Sequence, residues 1–313
     1  MANNIDYKVL ICDPVDSALV NGLKSLGFPV TYSPSITGTQ LLEVIPEFSI
    51  VVVRSRTKVT ATVLDRAAKL KIIARAGIGT DNIDGKAAAA RGIHIVTAAG
   101  SSTQSVAELN VALMVSLARN ILVLNNRVKN GVWSKDTGTE LFEKTAGIIG
   151  FGRIGLATAK ILRSMGMNVV AYDIVRNDEL MSSVEGRYVD LEDLLRVSDV
   201  IFILATLSED AGGMINRRHF SMMKRGVFIV NTSRSEFING PDLLLALKDG
   251  NIGGYAADVA WNEPPSADWE KEILGMDNVI ITPHIGAQTE EAQKRVAEYT
   301  LNNLMKKLEE IRQ

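Results

Sequence analysis

The sequence predicts an α/β protein built from two doubly wound parallel sheets, and two patterns indicate this fold. Short β-branched runs alternate with longer helical patterns along the whole chain, which is typical of parallel strands joined by helices that cover both faces of a sheet. This alternation occurs in two series. Because 313 residues exceed the usual size of one domain, we expect two domains of moderate size.

The first series occupies about the first hundred residues and forms a complete small doubly wound unit. Its predicted strands are Lys8 to Cys12, Val30 to Tyr32, Ile50 to Val53, Lys71 to Arg75 and His94 to Val96. One long helix is then predicted from about Thr103 to Val123, because apolar residues recur there near helical spacing. We interpret this helix as the connection between the domains.

The second series begins at Thr145 and predicts a second sheet. Its predicted strands are Gly147 to Ile149, Asn168 to Tyr172, Val200 to Leu204, Val227 to Asn231, Tyr255 to Val259 and Val279 to Thr282. A last helix is predicted from Glu290 to Ile311. Its apolar positions need a partner surface, so we expect it to pack on the first domain.

Composition excludes several classes of function. The net charge of −2 leaves no basic excess of the kind that neutralises nucleic-acid phosphates. The longest apolar stretch is interrupted by polar residues, and the N-terminus lacks the pattern of a secretory signal. The single cysteine, Cys12, excludes an intrachain disulfide and a thiolate metal site, and we expect it to be inert core. These observations predict a cytoplasmic protein without nucleic-acid or membrane partners and without a metal.

A glycine-rich turn follows the first strand of the second series. The glycines Gly150, Gly152 and Gly155 have the spacing G-x-G-x-x-G between an apolar strand and a helix. The first permits a tight turn, the second allows the backbone to approach a pyrophosphate, and the third lets helix and strand pack closely. The helix N-terminus offers N–H groups and a partial positive charge to the phosphates.

An acidic residue, Asp173, ends the strand after this helix. A carboxylate at this place accepts hydrogen bonds from the adenosine ribose and repels a 2′-phosphate, so NAD is favoured over NADP. The alternative is that the glycines only form a loop and Asp173 only caps a strand. The combination of strand, turn, helix and acid favours the dinucleotide site.

Polar residues follow three later strands, at the sheet edge where α/β folds bind ligands. Arg234, Glu263 and His284 lie after these strands, and His284 is the one histidine of three at such a place. Hydride transfer with a hydroxy acid needs a base for the hydroxyl proton and a cation for the carboxylate. We predict that His284 is the acid/base, that Glu263 favours the imidazolium and fixes its tautomer, and that Arg234 binds the substrate. Each residue alone also fits a structural role, as a capping histidine, a solvated glutamate or a surface arginine.

Together these segments resemble the D-isomer-specific 2-hydroxyacid dehydrogenases, and within that family the short-form D-3-phosphoglycerate dehydrogenases. The matching segments are Val53 to Thr60, Arg75 to Asp84, the turn from Gly150, and the three strand ends. The resemblance covers nearly the whole chain. It implies a Rossmann NAD-binding domain of residues 101–287 inserted in a flavodoxin-like substrate domain of residues 1–100 and 288–313. It also implies a homodimer built on the nucleotide domain.

The resemblance implies further contacts for individual residues. Asp258 would hold the nicotinamide carboxamide, and Arg153 and Ile154 would contact the pyrophosphate. The remaining cofactor residues implied are Thr206, Thr232, Ser233 and Gly286. Gly77, Ile78 and Gly79 would grip a carboxylate with their backbone amides, and Arg54 and Arg75 would face a phosphorylated substrate. The alternative for the two arginines is ordinary surface salt bridging.

The chain also departs from the family pattern. Ser235 and Glu236 follow Arg234, where the family has glycine, which would reshape the turn or add a negative charge. Ala205-Thr206 replaces a Thr-Pro pair, and Thr97-Ala98-Ala99 replaces Asn-x-Pro. Longer members continue into a regulatory domain where this chain stops, so we predict no feedback by serine.

The predicted function is NAD-dependent oxidation of 3-phospho-D-glycerate to 3-phosphohydroxypyruvate, the first step of serine biosynthesis. The alternative enzyme is a glyoxylate or hydroxypyruvate reductase, or another D-2-hydroxyacid dehydrogenase, which needs no phosphate-binding cations. Formate oxidation is disfavoured because it needs no proton relay. A different class of alternative is an NAD-sensing corepressor-type binding protein.

Overall fold

The computed structural model describes residues 6–206 and 212–312, and it divides the chain into two compact units. The first unit consists of Met1–Ser102 and Ala287–Gln313, and the second of Thr103–Gly286. Each unit contains one parallel sheet with helices on both faces. The predicted α/β class with two doubly wound domains is therefore confirmed.

The first unit begins with five strands and the helices between them. In chain order these are β1 (Val9–Ile11), α1 (Ser17–Ser25), β2 (Val30–Tyr32), α2 (Gly38–Val44), β3 (Ile50–Val53), α3 (Ala61–Arg66), β4 (Ile72–Arg75), α4 (Gly85–Ala90) and β5 (His94–Thr97). The sheet order is β2-β1-β3-β4-β5, with all pairs parallel, as in flavodoxin-like folds. Cys12, just beyond β1, is buried, and this burial together with the charge of Asp13 raises the pKa of its thiol to about 12.

The second unit contains seven strands. In chain order its elements are α5 (Thr103–Ala118), α6 (Ile121–Lys129), β6 (Thr145–Ile149), α7 (Arg153–Ser164), β7 (Asn168–Tyr172), α8 (Asp178–Ser182), β8 (Arg187–Tyr188), α9 (Leu191–Val197), β9 (Val200–Ile203), α10 (Arg217–Met222), β10 (Val227–Asn231), α11 (Gly240–Lys248), β11 (Ile252–Ala257), α12 (Asp268–Leu274) and β12 (Val279–Ile281). The parallel sheet order is β12-β11-β10-β9-β6-β7-β8. The order reverses between β6 and β9, the place where Rossmann folds bind dinucleotides.

Alternate residues of the central strands fill two cores, one on each face of this sheet. Ile148 and Phe202 point into the core formed with α5 and α7, whereas Ile149 and Ile203 point into the core formed with α9, α10 and α11. Because both faces are covered, the strands are almost wholly apolar and only their ends carry polar side chains. The polar residues of the candidate site are therefore confined to the loops after the strands.

The last helix, α13 (Glu290–Arg312), belongs to the first unit. Its buried residues Val296, Ala297, Leu304 and Leu308 share a core with Val9 and other residues of that unit's sheet. It also contacts α1 and β5. The prediction that the last helix packs on the first domain is confirmed.

The prediction of one helix from Thr103 to Val123 is wrong, because α5 ends at Ala118 and α6 starts at Ile121. Asn120 between them has a left-handed backbone with φ of 51°, and the two helices are bent by 64°. No single helix in the described part of the chain is long and apolar enough to cross a membrane. Among the described residues, α5 and α6 reach the length and apolar composition of a membrane span only when the two bent helices are taken together.

Two further differences concern strands. The strand predicted from Tyr255 to Val259 runs instead from Ile252 to Ala257, so Asp258 and Val259 lie in the loop beyond it. The two-residue strand β8 at the sheet edge was not predicted, because it is too short for a recognisable alternation.

Candidate active site

The turn between β6 and α7 has glycine at three positions, and the structural reason for glycine differs at each of them. Gly150 has φ of 94°, and a side chain there would collide with the backbone of Ala205. A Cβ at Gly155 would lie 2.5 Å from the carbonyl oxygen of Gly150. A Cβ at Gly152 would meet no heavy atom of the protein within 4 Å. Packing within the protein therefore requires glycine at Gly150 and Gly155, whereas the open side of Gly152 fits the close approach of a dinucleotide.

The N-terminus of α7 can bind an anion. The helix begins at Arg153 with Gly152 as its N-cap, and no side chain caps the first turn. Its free N–H groups and the helix dipole favour a phosphate there. Arg153 is exposed and Ile154 is half-buried beside it, at the place where the predicted pyrophosphate contacts would lie.

Asp173 lies just after β7 and is bonded to the glycine-rich turn. Its Oδ2 accepts the N–H of Phe151 at 2.6 Å, and its Oδ1 accepts the N–H of Val175 at 2.9 Å. The carboxylate therefore connects the end of β7 to the turn and leaves lone pairs on both oxygens for further donors. Thr206 is exposed in the loop after β9, next to residues 207–211, which lie outside the described part of the chain.

The loop after β10 is organised by the buried Asn231. Its Oδ1 accepts the N–H of Ser233 at 3.0 Å and the hydroxyl of the same residue at 3.2 Å, and its Nδ2 donates to the carbonyl of Arg234 at 3.0 Å. Arg234 Nη1 donates to the carbonyl of Ser233 at 2.7 Å. The backbone that carries Arg234 is thus held from within the strand end.

A series of hydrogen bonds between side chains, running into the buried interior, supports the same loop. The hydroxyl of Thr232 donates to Asn110 Oδ1 at 2.7 Å, and Asn110 Nδ2 donates to the hydroxyl of Thr158 at 3.0 Å. Asn110 on α5 and Thr158 on α7 are both fully buried. These hydrogen bonds join the loop of Arg234 to the helix that follows the glycine-rich turn. Asn110 was not predicted, since an asparagine in a helical pattern looks like a surface residue.

Ser235 and Glu236 form a single 3-10 turn from Ser235 to Phe237 after Arg234. Ser235 is buried, and its hydroxyl donates to the carboxylate of Glu236 at 3.2 Å. Ser235 is not one of the residues of the described chain that have a positive φ. The turn therefore does not require the glycine that the family pattern has at this position.

His284 and Glu263 lie together. The ring Nδ1 of His284 is 3.2 Å from Glu263 Oε1 and 3.3 Å from Oε2, and both side chains are half-exposed. His284 has a left-handed backbone with φ of 57°, and its N–H donates to the carbonyl of Thr282 at 2.9 Å. With Nδ1 facing the carboxylate, the other ring nitrogen is the one left to exchange a proton with a substrate.

Asp258 secures the turn that carries His284. It is 2% exposed, and its carboxylate accepts the N–H of Ile285 at 2.7 Å, the N–H of Gly286 at 2.6 Å and the hydroxyl of Thr282 at 2.6 Å. Its side chain thus has three protein donors in addition to the nicotinamide contact that the resemblance implies. Gly286 itself is buried, and a Cβ there would lie 3.0 Å from Asp258 Oδ2.

In the first unit, the loop after β3 carries Arg54 and is held by Asp13. The buried carboxylate of Asp13 accepts the N–H of Arg54 at 2.5 Å and the hydroxyl of Thr57 at 2.7 Å, and it pairs with Arg56 at 2.9 Å. Arg54 Nη1 donates to the carbonyl of Pro14 at 3.3 Å. Partial burial lowers the pKa of Arg54 against the opposite effect of Asp13, but an arginine still remains charged at neutral pH.

The loop after β4 contains Arg75 and the segment Gly77 to Gly79. Arg75 Nε donates to the carbonyl of Gly79 at 2.8 Å, and its Nη1 donates to the carbonyl of Ala76 at 2.9 Å. Gly77 has φ of 152°, and a side chain there would collide with the guanidinium of Arg75. Arg75 therefore stabilises its own loop through these hydrogen bonds. Ile78, at the tip of the loop, is 40% exposed.

A metal centre has no candidate ligands here. Within residues 6–206 and 212–312, no group of three or more His, Cys, Asp or Glu side chains is placed to hold an ion.

Comparison with known proteins identifies the family. Residues 111–286 match the family described as "D-isomer specific 2-hydroxyacid dehydrogenase, NAD binding domain". The chain is 40% identical over 304 residues to a hydroxypyruvate reductase of Thermotoga maritima, covering 96% of this chain and 98% of that protein. It is also 40% identical over 291 residues to a D-3-phosphoglycerate dehydrogenase of Archaeoglobus fulgidus, covering 92% of this chain and 55% of that one. The chain thus spans about half the length of that longer relative.

The solved structures agree with the sequence relatives. A D-lactate dehydrogenase from Aquifex aeolicus, solved with NAD and lactic acid, superposes with a TM-score of 0.85 at 28% identity, covering 96% of each chain. The glycine-rich turn, the acid after β7 and the family match agree on the nucleotide, and the prediction of NAD is confirmed. The chain belongs to the D-isomer-specific 2-hydroxyacid dehydrogenase family, and its second unit contains that family's NAD-binding domain.

Proposed function

We propose that this protein oxidises 3-phospho-D-glycerate to 3-phosphohydroxypyruvate with NAD, which is the entry to serine biosynthesis. The observation that supports the acid/base role of His284 is the distance of 3.2 Å between its Nδ1 and Glu263 Oε1. Both residues lie beyond the carboxyl ends of β11 and β12. The same sheet edge carries the glycine-rich turn after β6 and Arg234 after β10. A proton acceptor, its acidic partner and a cation thus accompany a nucleotide site on one sheet.

In this proposal His284 removes the proton from the 2-hydroxyl group, and Glu263 stabilises the imidazolium that forms. Arg234 binds the substrate carboxylate and polarises the carbonyl that develops. The residues that would hold the cofactor are Gly150, Gly152, Arg153, Ile154, Gly155, Asp173, Thr206, Thr232, Ser233, Asp258 and Gly286. Bound NAD supplies the nicotinamide ring, which accepts the hydride that leaves the carbinol carbon.

The phosphorylated substrate is supported by relatives and by cations of the first unit. Seven of the curated relatives, at 35–40% identity, are named D-3-phosphoglycerate dehydrogenase. We propose that Arg54 and Arg75 bind the phosphate, and that the amides of Ile78 and Gly79 bind the carboxylate. The N–H of Gly77 donates to the carbonyl of Arg75 at 2.8 Å. Arg54 has one hydrogen bond of 3.3 Å from its guanidinium among the described contacts, which leaves most of its donors for an anion.

Reduction of hydroxypyruvate or glyoxylate is the second candidate. The hydroxypyruvate reductase relative matches at the same identity and over 98% of its length. In addition, two donors of the Arg75 guanidinium already bond to its own loop, which reduces what it can offer a phosphate. A glyoxylate reductase is also among the solved structures that superpose, with a TM-score of 0.87.

A substrate panel with and without the phosphate group tests this proposal. Rates of NADH formation are measured with 3-phosphoglycerate and D-glycerate, and rates of NADH consumption with 3-phosphohydroxypyruvate, hydroxypyruvate and glyoxylate. We expect kcat/KM to be higher for each phosphorylated compound, and His284→Ala to lower kcat by about 10²- to 10⁴-fold. His219→Ala is the matched control because His219 lies on α10, bonded to Asn216.

Arg54→Gln separates the two substrate classes. It should raise KM for 3-phosphoglycerate and leave KM for D-glycerate unchanged within about twofold, since the proposed substrate contact that it removes is the one with the phosphate. A higher kcat/KM for the unphosphorylated compounds would establish the reductase instead. Tight NADH binding with no turnover of any hydroxy acid would favour the NAD-sensing binding protein.

We further propose a homodimer formed through the second unit. Large apolar side chains are exposed on α6 and on the segment after it, and Trp133 is 85% exposed. The others are Ile121, Leu122, Val128 and Val132. Light scattering should show a dimer for the wild type and a monomer for Trp133→Glu; a monomeric wild type contradicts this proposal. The cytoplasmic location and the lack of nucleic-acid and membrane partners stay predictions.

A further inference from the structure

We propose that Glu270 is the positioning residue that holds the loop of Glu263 in place for the proton transfer. This inference rests on the proposed function, because it assigns Glu270 an action through Glu263 and His284. Glu270 lies on α12, seven residues after Glu263 in the chain, and is 2% exposed. It touches neither His284 nor the glycine-rich turn in the contacts described above.

Glu270 gathers four donors from the loop that carries Glu263. Its Oε1 accepts the N–H of Asn262 at 2.8 Å. Its Oε2 accepts Asn262 Nδ2 at 2.8 Å, the N–H of Ser266 at 2.9 Å and the N–H of Ala267 at 2.8 Å. The donors lie on both sides of Glu263 and its two prolines, so one carboxylate closes the segment from residue 262 to residue 267.

The charge of this carboxylate matters as well as its position. Burial acts to raise the pKa of Glu270, but the hydrogen bonds from Ala267, Asn262 and Ser266 outweigh it and the net pKa is lowered. All four partners are N–H donors, which match a carboxylate and not an amide. A glutamine here would turn its NH₂ group toward at least one of these donors and leave that buried donor unpaired.

Ordinary helix capping does not account for this arrangement. A glutamate at the third position of a helix commonly accepts the N–H of the N-cap residue, and the bond from Ala267 is of that kind. The bonds from Ser266 and the two from Asn262 lie outside the helix. Three of the four bonds therefore serve the loop rather than α12.

Glu263 depends on its loop because its own side chain has few other supports. It is half-exposed, and its Oε1 accepts the N–H of Ala260 at a long 3.4 Å in addition to facing His284. Its backbone is therefore what sets the position of the carboxylate. A shift of about 1 Å at a reacting group can reduce a rate by about a hundredfold, so loss of the Glu270 bonds should be visible in the rate.

A second anchor joins the same loop to the turn after Arg234. The indole N–H of Trp261 donates to the carbonyl of Ile238 at 2.9 Å, and its ring packs edge-on against Trp269 with centroids 4.9 Å apart. Glu270 and Trp261 therefore hold the loop at different places: Glu270 fixes its two ends to each other, and Trp261 fixes its start to the turn after Arg234.

The experiment compares Glu270→Gln with Glu272→Gln. Glu272 lies two residues further on the same helix, pairs with Lys248 and is half-exposed, so it is a matched control. We expect Glu270→Gln to lower kcat by about ten- to a hundredfold while KM for NAD stays within about twofold. Glu272→Gln should keep the wild-type kcat.

A double-mutant cycle shows whether Glu270 acts through Glu263. If it does, Glu263→Gln/Glu270→Gln should have the same kcat as Glu263→Gln alone. A merely structural role would instead multiply the two losses. Hydrogen exchange gives a readout without turnover, because the amides of Asn262, Ser266 and Ala267 should exchange faster in Glu270→Gln than in the wild type.

Each outcome decides the inference. Wild-type kcat in Glu270→Gln, or multiplying effects in the cycle, overturns it. If Glu270→Gln does not fold, Asn262→Ala replaces it, since this variant removes one of the four bonds and should lower kcat by about two- to fivefold; an unchanged kcat there also overturns the inference. Wild-type activity in Glu263→Gln overturns it as well, because Glu270 is inferred to act through Glu263. A wild-type enzyme that forms no NADH from 3-phosphoglycerate would instead show that the proposed function is wrong.

Discussion

The backbone N–H of Gly286 donates to Asp258 Oδ2 at 2.6 Å, and this bond connects two neighbouring strand ends. Asp258 follows β11 and Gly286 follows β12, so the turn that carries His284 is fixed to the adjacent strand. The other carboxylate oxygen accepts from Ile285 and Thr282. His284, which we propose as the acid/base residue, is thus itself half-exposed but stands on a backbone held by a buried carboxylate.

Asp258→Asn should therefore damage both stability and catalysis. The amide NH₂ would face backbone donors, so we expect a loss of about 1–3 kcal/mol in the free energy of unfolding, together with a lower kcat. Urea unfolding and steady-state kinetics measure the two effects. Thr282→Val is the control, because it removes one of the three bonds and should cost about 1 kcal/mol. Unchanged stability in Asp258→Asn would mean that Asp258 serves only the cofactor.

Gly152→Ala and Gly155→Ala should affect different properties: the first should weaken NAD binding, and the second should lower stability. The Cβ at Gly152 would meet no protein atom and its φ is −80°, so stability should fall by no more than about 1 kcal/mol while KM for NAD rises about tenfold or more. At Gly155 the Cβ would lie 2.5 Å from the Gly150 carbonyl, so unfolding free energy should drop by about 1–3 kcal/mol. An unchanged KM for NAD in Gly152→Ala would contradict the pyrophosphate contact.

Asp173→Ala should weaken the preference for NAD over NADP. It also removes the bond to the Phe151 N–H, so the glycine-rich turn loses support and KM should rise for NAD. Asp173→Asn is the informative partner, since it keeps an acceptor but removes the charge that repels a 2′-phosphate. The ratio of kcat/KM for the two nucleotides measures this. If the ratio is the same in the wild type and in both variants, the ribose assignment is wrong.

Glu270 should make stability depend on acid pH. Because its pKa is lowered in the folded protein, its contribution is complete above the ordinary glutamate value of about 4.3 and is lost as pH falls through the folded-state pKa. The difference in unfolding free energy between the wild type and Glu270→Gln should be constant from about pH 6 to 8 and shrink below about pH 4.3. Urea unfolding across this range measures it. A difference that grows toward low pH would contradict the lowered pKa.

The strands were predictable because burial on both faces leaves a clear signal. The bounds of β2, β3, β7 and β10 agree with the prediction, since apolar β-branched runs end abruptly there. The break at Asn120 was not predictable, because Val111 to Leu124 is apolar on both sides of it and only the left-handed backbone separates α5 from α6. Local apolar periodicity does not show where a helix axis changes direction.

The candidate site was predictable where a side chain follows a strand. Arg234, Glu263 and His284 were found this way, and the structure places Glu263 and His284 in contact. Glu270 was not found, because a glutamate among charged residues of a short helix has the pattern of a solvated surface. The bracing of its own loop by Arg75 also depends on a side-chain direction that sequence does not encode.

The position of α13 has a consequence for synthesis on the ribosome. The core of the first unit includes Val296, Ala297, Leu304 and Leu308, which emerge after every residue of the second unit. The five N-terminal strands therefore leave the exit tunnel first, and one face of their sheet is covered only in part, by α1 with Leu19 and Leu23, until the last helix appears. The inserted unit can reach its native state while the surrounding one is still incomplete. Protection of that exposed face during translation is thus a requirement that the chain order imposes.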